Sequence, residues 1–428
     1  MRISTSMIYE LGGTSVQAQQ SGLFKLQQQL SSGKRVNTPS DDPLAAARVL
    51  EINQSKSVSE QLSVNGDYAT STLQAQESAL GSFNDVLTQL KAQGVYAGNP
   101  SLTHEDRKIL AADIRGKYAE LLSLANTQEN GKYLFSGFQG ETQPFSETTP
   151  GVVAYNGDEG QRLIQVSPSR QVPVSSAGIE VFQRIKNGNG TFFVSGDPAV
   201  TGTTNTGTGV ATPGSLLDAT KWQAGSGDIS VIFHVDSTVN PPVTTYDVVD
   251  NVSTNSLLTG AAPGPGPYPR TYTPGTAISL SQTAAPAFDL GAELSISGSP
   301  ATGDKFTIKD SVPNQDIFST VYNLIDALEN TSGAQLSNHV MTFLQDLEKS
   351  SESVLTAITN VGSTLAEVEA HKNVSEDLVV QYKTSISHLE DLDYATAATD
   401  YALRQANLQA AQQSFIKVQG LSLFNFIQ

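Results

Sequence analysis

Val340 to Leu389 reads VMTFLQDLEKSSESVLTAITNVGSTLAEVEAHKNVSEDLVVQYKTSISHL. Val340, Leu344, Leu347, Val354, Ile358, Val361, Leu365, Val368, Val379, Tyr382, Ile386 and Leu389 all fall on one 3-4 register, with Ser351, Lys372 and Ser375 at its polar positions. Apolar residues repeating this way put one stripe on one helix face. A single helix over the run would extend about 75 Å at roughly 1.5 Å per residue. Helices of globular domains seldom exceed about 25 residues, so the pattern predicts a coiled coil or a long bundle. The alternative is an ordinary bundle whose helices break near Gly362 and again near Asn373.

Outward from this run, the phase slips near Leu392 and a second register begins, with Tyr394, Ala397, Tyr401, Leu408, Ala411, Phe415 and Val418. Upstream, Ile317, Val321, Leu324 and Leu328 form a shorter stripe starting at Asp316. The N-terminal part repeats the theme. Val16, Leu23, Leu26 and Leu30 take a/d spacing, with Gln19 the polar exception. Ser31-Ser32-Gly33-Lys34 interrupts them, and Ser40-Asp41-Asp42-Pro43 restarts a helix, with Asp42 as N-cap and Pro43 at the first helical position. Ala69, Leu73, Leu80, Phe83, Leu87 and Leu90 continue the seam around Gln76, and Asn99-Pro100 ends it. Thr103 and Asp106 then read as a capping box for a helix carrying Leu110, Ile114, Tyr118, Leu121 and Ala125, expected to stop near Asn130-Gly131. Polar seam residues such as Gln19, Gln76 and Arg404 are expected to set helix register at some cost in stability.

Between the helical ends the composition changes. Low-complexity runs, Thr201 to Gly209 and Pro263 to Pro269, separate short β-prone stretches at Phe192-Phe193-Val194, Ile229 to Val235, Tyr246 to Val249 and Lys305 to Ile308. This spacing suggests small antiparallel β domains. The fold class expected is α+β: a long antiparallel coiled-coil-like bundle of both chain ends with a β-rich insertion. The expected division is 41–135 with 313–394 as the bundle, 136–312 as the insertion, and 1–40 with 395–428 as terminal helices. Those terminal segments are expected to be disordered in a free monomer, because half of their apolar face lacks a partner.

Chemistry is harder to find. The net charge of -17 and scattered Lys and Arg argue against nucleic acid. No stretch approaches the roughly 18 apolar residues that span a bilayer, and the N-terminus carries no signal-peptide pattern. With no cysteine, thiol catalysis, disulfides and zinc-thiolate sites are absent. His104, His234, His339, His371 and His388 are scattered without a His-x-x-x-His pair. Glu390, Asp391 and Asp393 read as the polar side of a helix junction rather than a cation site. Phosphate-loop, dinucleotide and nucleophile-elbow motifs are missing. No cofactor, metal or catalytic residue is expected, and the chain reads as an assembly subunit.

Three stretches carry a family resemblance: Leu30 to Leu50 (LSSGKRVNTPSDDPLAAARVL), Asn130 to Phe145 (NGKYLFSGFQGETQPF) and Asp393 to Gln428, ending LSLFNFIQ. They resemble the bacterial flagellin family, and the latter two resemble its hook-associated junction members, as does the MRIST start. The resemblance covers the first 145 and last 115 or so residues; the insertion looks longer than is common. It makes Ser31, Ser32, Gly33, Asp41, Asp42 and Pro43 the family motif. It implies export unfolded through the flagellar type III apparatus, with a chaperone on the C-terminal region, and assembly outside the cell between hook and filament. The implied partners are the first junction protein, flagellin and neighbouring copies of the chain. Packing residues on this reading are Leu23, Leu26, Leu30, Ala395, Ala398, Tyr401, Leu408, Phe415, Leu421, Leu423 and Phe424. Flagellin itself is the nearest rival. A surface adhesin or an enzyme carried by the insertion is the rival from another class, without a site to support it.

Overall fold

The computed structural model describes the backbone of residues 5–225 and 227–424, and side chains at 7, 10–225 and 227–417. Two compact units are present. One comprises Met1–Asp67, Gln165–Arg170 and Glu369–Gln428; the other comprises Tyr68–Ile164 and Gln171–Val368. Helices α1 (Thr5–Ser32), α2 (Pro43–Ala97) and α3 (His104–Ala125) open the chain, and α7 (Ile317–Asn330), α8 (Gly333–Glu390) and α9 (Tyr394–Phe424) close it.

The register read from Val340 to Leu389 forms a single helix. α8 runs 58 residues without a break, through both Gly362 and Asn373. Val340, Leu347, Val354, Val361, Val368 and Ser375 are buried at every seventh position, and Leu344, Ile358, Leu365 and Val379 are half-buried between them. That is the signature of a heptad stripe covered along one side. Its antiparallel partner is α2. In the second unit, a Cβ on Gly94 would meet the Phe343 ring at 2.6 Å, and Ser351 donates to Asn84 at 2.8 Å. In the first unit, Lys372 pairs with Asp67 at 2.6 Å. The helix starts follow their caps: Asp42 accepts from the Ala45 amide at 3.0 Å, and Thr103 and Asp106 close a capping box on α3.

The expected stop of α3 near Asn130-Gly131 is corrected. The helix ends at Ala125, with Asn126 as C-cap. Asn130 (φ 50°) and Gly131 (φ 76°) turn the hairpin of β1 (Gln128–Glu129) and β2 (Lys132–Tyr133). Two consecutive positive φ angles belong to a hairpin turn that follows strand twist, a stronger demand than helix termination. Strands β3 (Phe145–Thr149) and β4 (Val152–Tyr155) pair next, followed by β5 (Leu163–Ser167), β6 (Arg170–Pro173) and the short helix α4 (Gly178–Phe182). Phe182 lies within 4.6 Å of Phe83, 5.2 Å of Phe135 and 5.6 Å of Phe145, ring centre to centre. Buried Gln76 donates to the Val174 carbonyl at 2.8 Å and accepts from Ser176 at 3.1 Å. It therefore ties α2 to the chain after β6, where a register-setting contact between helices was expected.

The insertion holds one β-sandwich. Strands β7 (Ile185–Lys186), β8 (Phe192–Ser195), β9 (Val210–Ala211), β10 (Ser215–Leu216), β11 (Asp228–Asp236) and β12 (Val243–Asp250) are followed by β13 (Arg270–Thr271), β14 (Ala277–Gln282), β15 (Phe288–Ser297), β16 (Lys305–Asp310) and β17 (Pro313–Gln315). Helices α5 (Pro198–Thr201) and α6 (Ala219–Gln223) lie among them. One sheet has the order β13-β12-β11-β16-β8; the other has β10-β15-β14, with β9 also on β15. Both contribute to one core around Phe192, Trp222, Phe233, Leu294 and Phe306. All four β-prone stretches read from the sequence fall in the first sheet. The run Thr201 to Gly209, read as low complexity, is ordered by buried Asp304, which accepts from the Thr206 amide at 2.8 Å and the Gly207 amide at 3.1 Å.

Candidate assembly interface

The motif from Ser31 to Pro43 builds a joint inside the first unit, where the break between α1 and α2 meets the break between α8 and α9. Gly33 ends α1 with φ 72°, a left-handed conformation that glycine adopts without penalty. A Cβ there would also meet the Tyr394 hydroxyl at 2.8 Å. The Leu392 amide donates to the Gly33 carbonyl at 3.0 Å, and the Arg35 amide to the Glu390 carbonyl at 2.6 Å. Side chains reinforce the joint: Lys34 pairs with Glu390 at 2.7 Å, and the Arg35 guanidinium donates to the Leu389 carbonyl at 2.8 Å.

Asp41 organises the rest of the loop. It pairs with Lys25 at 2.8 Å and accepts from the Asn37 and Thr38 amides at 3.1 and 3.0 Å. The Lys25 ammonium and these amides hold its carboxyl well below the usual carboxylate range. The Ala45 amide, with Arg35 beside it, lowers Asp42 as well. Both acids stay charged in service as fasteners. The acidic residues at the joint have separate duties: Glu390 pairs with Lys34, Asp391 accepts from Ser387, and Asp393 caps α9 by accepting from the Ala395 amide at 3.0 Å. Among the described residues no group of three or more His, Asp or Glu is arranged to hold a metal ion. No helix among them is long and apolar enough to cross a membrane.

Beyond the joint, α1 and α9 pack antiparallel. Leu26 and Ala397 are buried, and Leu23, Leu30, Tyr401, Leu408 and Phe415 are half-buried along the same seam. Gln19 lies half-buried on it, whereas Arg404 is exposed. Ala395 and Ala398, expected to pack, are exposed; Ala397 alone of that cluster faces the seam. Ser31, Ser32 and Pro43 are exposed, and Asp41 and Asp42 are half-buried. The side chains of Leu421, Leu423 and Phe424 lie outside the described residues, as do Met1 to Ser4 of the MRIST start.

Two glycines of this pair were not singled out in the sequence. α1 runs through Gly12-Gly13 back to Thr5, although its heptad reading began only at Val16. A Cβ on Gly12 would meet the Phe415 ring at 2.7 Å, and one on Gly22 would strike the Arg404 guanidinium. Glycine weakens a helix by about 1 kcal/mol relative to alanine, and here it makes room for a large residue on the opposing helix. The signal was present as glycines inside an otherwise helical pattern, but their partners lie some 400 positions away in sequence. The outer surface of the pair carries Leu11, Phe24, Leu403 and Ile416, exposed by 60, 69, 59 and 65%. Large apolar residues are thus exposed on both helices of the pair.

The chain matches the family model for the bacterial flagellin N-terminal helical region over residues 3–140. It is 24% identical to flagellar hook-associated protein 3 of Salmonella typhimurium over 425 residues, 99% of each chain. Among solved structures, the flagellar junction protein FlgL from Legionella pneumophila is similar with a TM-score of 0.67 and 30% identity, over 80% of this chain and 100% of that one. FlgL from Xanthomonas campestris is similar with a TM-score of 0.65 and 28% identity, over 78% of this chain and 99% of that one.

Proposed function

The chain belongs to the FlgL (hook-associated protein 3) family of flagellar hook–filament junction proteins, and on that premise we propose that it is the structural adapter between the first junction protein and flagellin. The observation that carries this reading is the α1/α9 pair: a seam closed within the subunit and an outer surface bearing Leu11, Phe24, Leu403 and Ile416. Such a pair is half of a larger helical layer, completed by neighbouring copies above and beside it. Exposed Ala395 and Ala398 allow a further helix to approach closely. The subunit has no catalytic role on this reading. Its export is unfolded, through the flagellar type III apparatus, with a chaperone covering the apolar C-terminal region. A chain without cysteine makes that passage with no risk of mispaired disulfides.

Deleting the gene is expected to leave hooks without filaments and to release unpolymerised flagellin into the medium. Normal filaments on the deletion strain would overturn the adapter reading. A trace rather than dominant amount of the protein in sheared filaments separates an adapter from a bulk flagellin.

We further propose that α1 and α9 stay closed only when neighbours cover them. In dilute monomer, limited proteolysis is expected to cut within 10–32 and 394–417 well before it cuts within 68–164. Equal protection of these regions would sink this idea.

A further inference from the structure

We propose that Asn130 is a site of spontaneous deamidation, where water converts it to aspartate and isoaspartate by way of the Gly131 amide. An asparagine followed by glycine is open to this reaction because no side chain shields the next backbone nitrogen. The Gly131 nitrogen gives its proton to solvent base and attacks the side-chain carbonyl carbon of Asn130. The new N–C bond closes a succinimide ring, the bond to the side-chain nitrogen breaks, and ammonia leaves with a proton from solvent. A water molecule then opens the ring at either carbonyl. One water is consumed and one ammonia released, with no oxidant or reductant involved.

The chain contains five Asn-Gly pairs, at 65-66, 130-131, 156-157, 187-188 and 189-190. Four of them are held. Gly66 lies inside α2, whose ladder engages its amide, and Asn65 accepts from Gln61 at 3.1 Å and donates to the Gln165 carbonyl at 2.8 Å. The Gly188 amide donates to Asp346 at 3.0 Å, and the Asn187 side chain accepts from the Val312 amide at 3.0 Å. The Gly190 amide donates to the Asn187 carbonyl at 3.3 Å, while the Asn189 side chain accepts from the Thr191 and Phe192 amides at 2.9 and 2.8 Å. The Asn156 side chain donates to the Ser146 hydroxyl at 2.8 Å, and a Cβ on Gly157 would meet the Tyr155 hydroxyl at 2.5 Å.

Asn130 has none of these restraints. It is exposed, and among the described residues neither its side chain nor the Gly131 amide has a hydrogen-bond partner. A Cβ built on Gly131 meets nothing within 4 Å. Both residues sit at positive φ in the turn, so the side-chain carbonyl reaches the nitrogen only when the turn opens. The hairpin that must open consists of two residue pairs, Gln128 with Tyr133 and Glu129 with Lys132, and so short a pairing is marginally stable. Opening a helix or a buried loop costs far more than opening a hairpin tip. Isoaspartate would add a methylene to the main chain of the turn and a negative charge beside Glu129. That residue accepts from Ser71 of α2 at 2.6 Å, so the product also loosens a tie between the hairpin and the helix.

The test uses the full-length wild-type chain, so its outcome is independent of whether the subunit joins hook to filament. The folded chain and the same chain unfolded in urea are incubated in parallel at pH 8, and peptide mapping with fragmentation follows deamidation at all five pairs. The rate in urea gives each site its unrestrained value, and the folded rate is divided by it. This ratio is expected to be at least about tenfold higher for Asn130 than for any of the other four, because opening free energies run from near zero in mobile turns to the global value in the core. Raising the pH is expected to speed the Asn130 reaction in the folded chain, since the attacking nitrogen must lose its proton. A ratio for Asn156, or for any other pair, that equals or exceeds that of Asn130 overturns the proposal. So does an Asn130 that converts in urea but stays intact in the folded chain.

Discussion

Phe182→Ala is expected to cost about 3–5 kcal/mol of stability, the range for removing a fully buried phenylalanine and leaving a cavity. Phe182 ends a five-residue helix, α4, that is too short to be stable alone. Its ring is wholly buried and packs on Phe83 of α2, Phe135, Phe145 of β3 and Phe318 of α7. Those residues come from separate stretches of chain, and their centroid separations of 4.6 to 6.4 Å suit tilted and edge-on aromatic pairs. The ring is therefore a common contact for the two helical arms and the first hairpins of the insertion. Urea unfolding followed by helix signal checks it, and a loss under about 1 kcal/mol would mean that the neighbours collapse into the space.

Asp346→Asn is expected to raise stability at neutral pH, against the usual direction of core substitutions. The Asp346 carboxylate accepts from the Gly188 amide at 3.0 Å, and burial pushes its pKa up to about 6. Asp316, the N-cap of α7, is raised to about 6 for the same reason, although it accepts from the Phe318 amide at 2.8 Å and from Gln183 at 3.2 Å. Raised carboxyl pKa values mean that the folded chain holds more protons than the unfolded chain between about pH 4 and pH 6. The stabilising contribution of these protons is present below that window and is lost as pH rises through it. At pH 7.5 each ionised acid therefore costs on the order of 1–3 kcal/mol. Asparagine keeps an acceptor for Gly188 without the charge. Urea midpoints at pH 7.5, 6.5 and 5.5 are expected to fall with rising pH in wild type and to fall less steeply in the variant, which keeps Asp316, with a gain of about 1–2 kcal/mol at pH 7.5. Comparing the two chains at each pH cancels the general repulsion of a chain with net charge -17. A variant that is less stable at pH 7.5 with an unaltered slope would contradict the assignment.

Much of the helical architecture was legible because it is written in a local period. Val340 to Leu389 keeps one register, and every seventh position of it is buried from Val340 to Ser375 and half-buried at Tyr382 and Leu389. The caps at Asp42 and Thr103 were readable for the same reason, since a cap and the amide it serves lie within three residues. Asn130-Gly131 shows how far such a signal reaches. It announced a turn correctly, but whether that turn ended a helix or joined two strands depended on β1 and β2 pairing. In the insertion, the four stretches richest in β-branched and aromatic residues were found, and all proved to belong to one sheet. β14 and β15 were not singled out; serines and a glycine dilute their apolar alternation, and they are strands because the opposite sheet buries Ile278, Leu280, Leu294 and Ile296.

At the chain ends, the sequence by itself determined which residues form the seam: Leu23, Leu26 and Leu30 on one helix, Tyr401, Leu408 and Phe415 on the other. Periodicity of a single helix is enough to say which face is apolar. It does not say which residue meets which across the interface. Only the tertiary structure decided that Phe415 rests over Gly12, that Tyr394 closes on Gly33, that Ala397 and not Ala395 or Ala398 faces inward, and that Leu11, Phe24, Leu403 and Ile416 remain outside. Relative register and rotation of two helices are set by side-chain volumes hundreds of residues apart, and no local pattern in either helix carries that information.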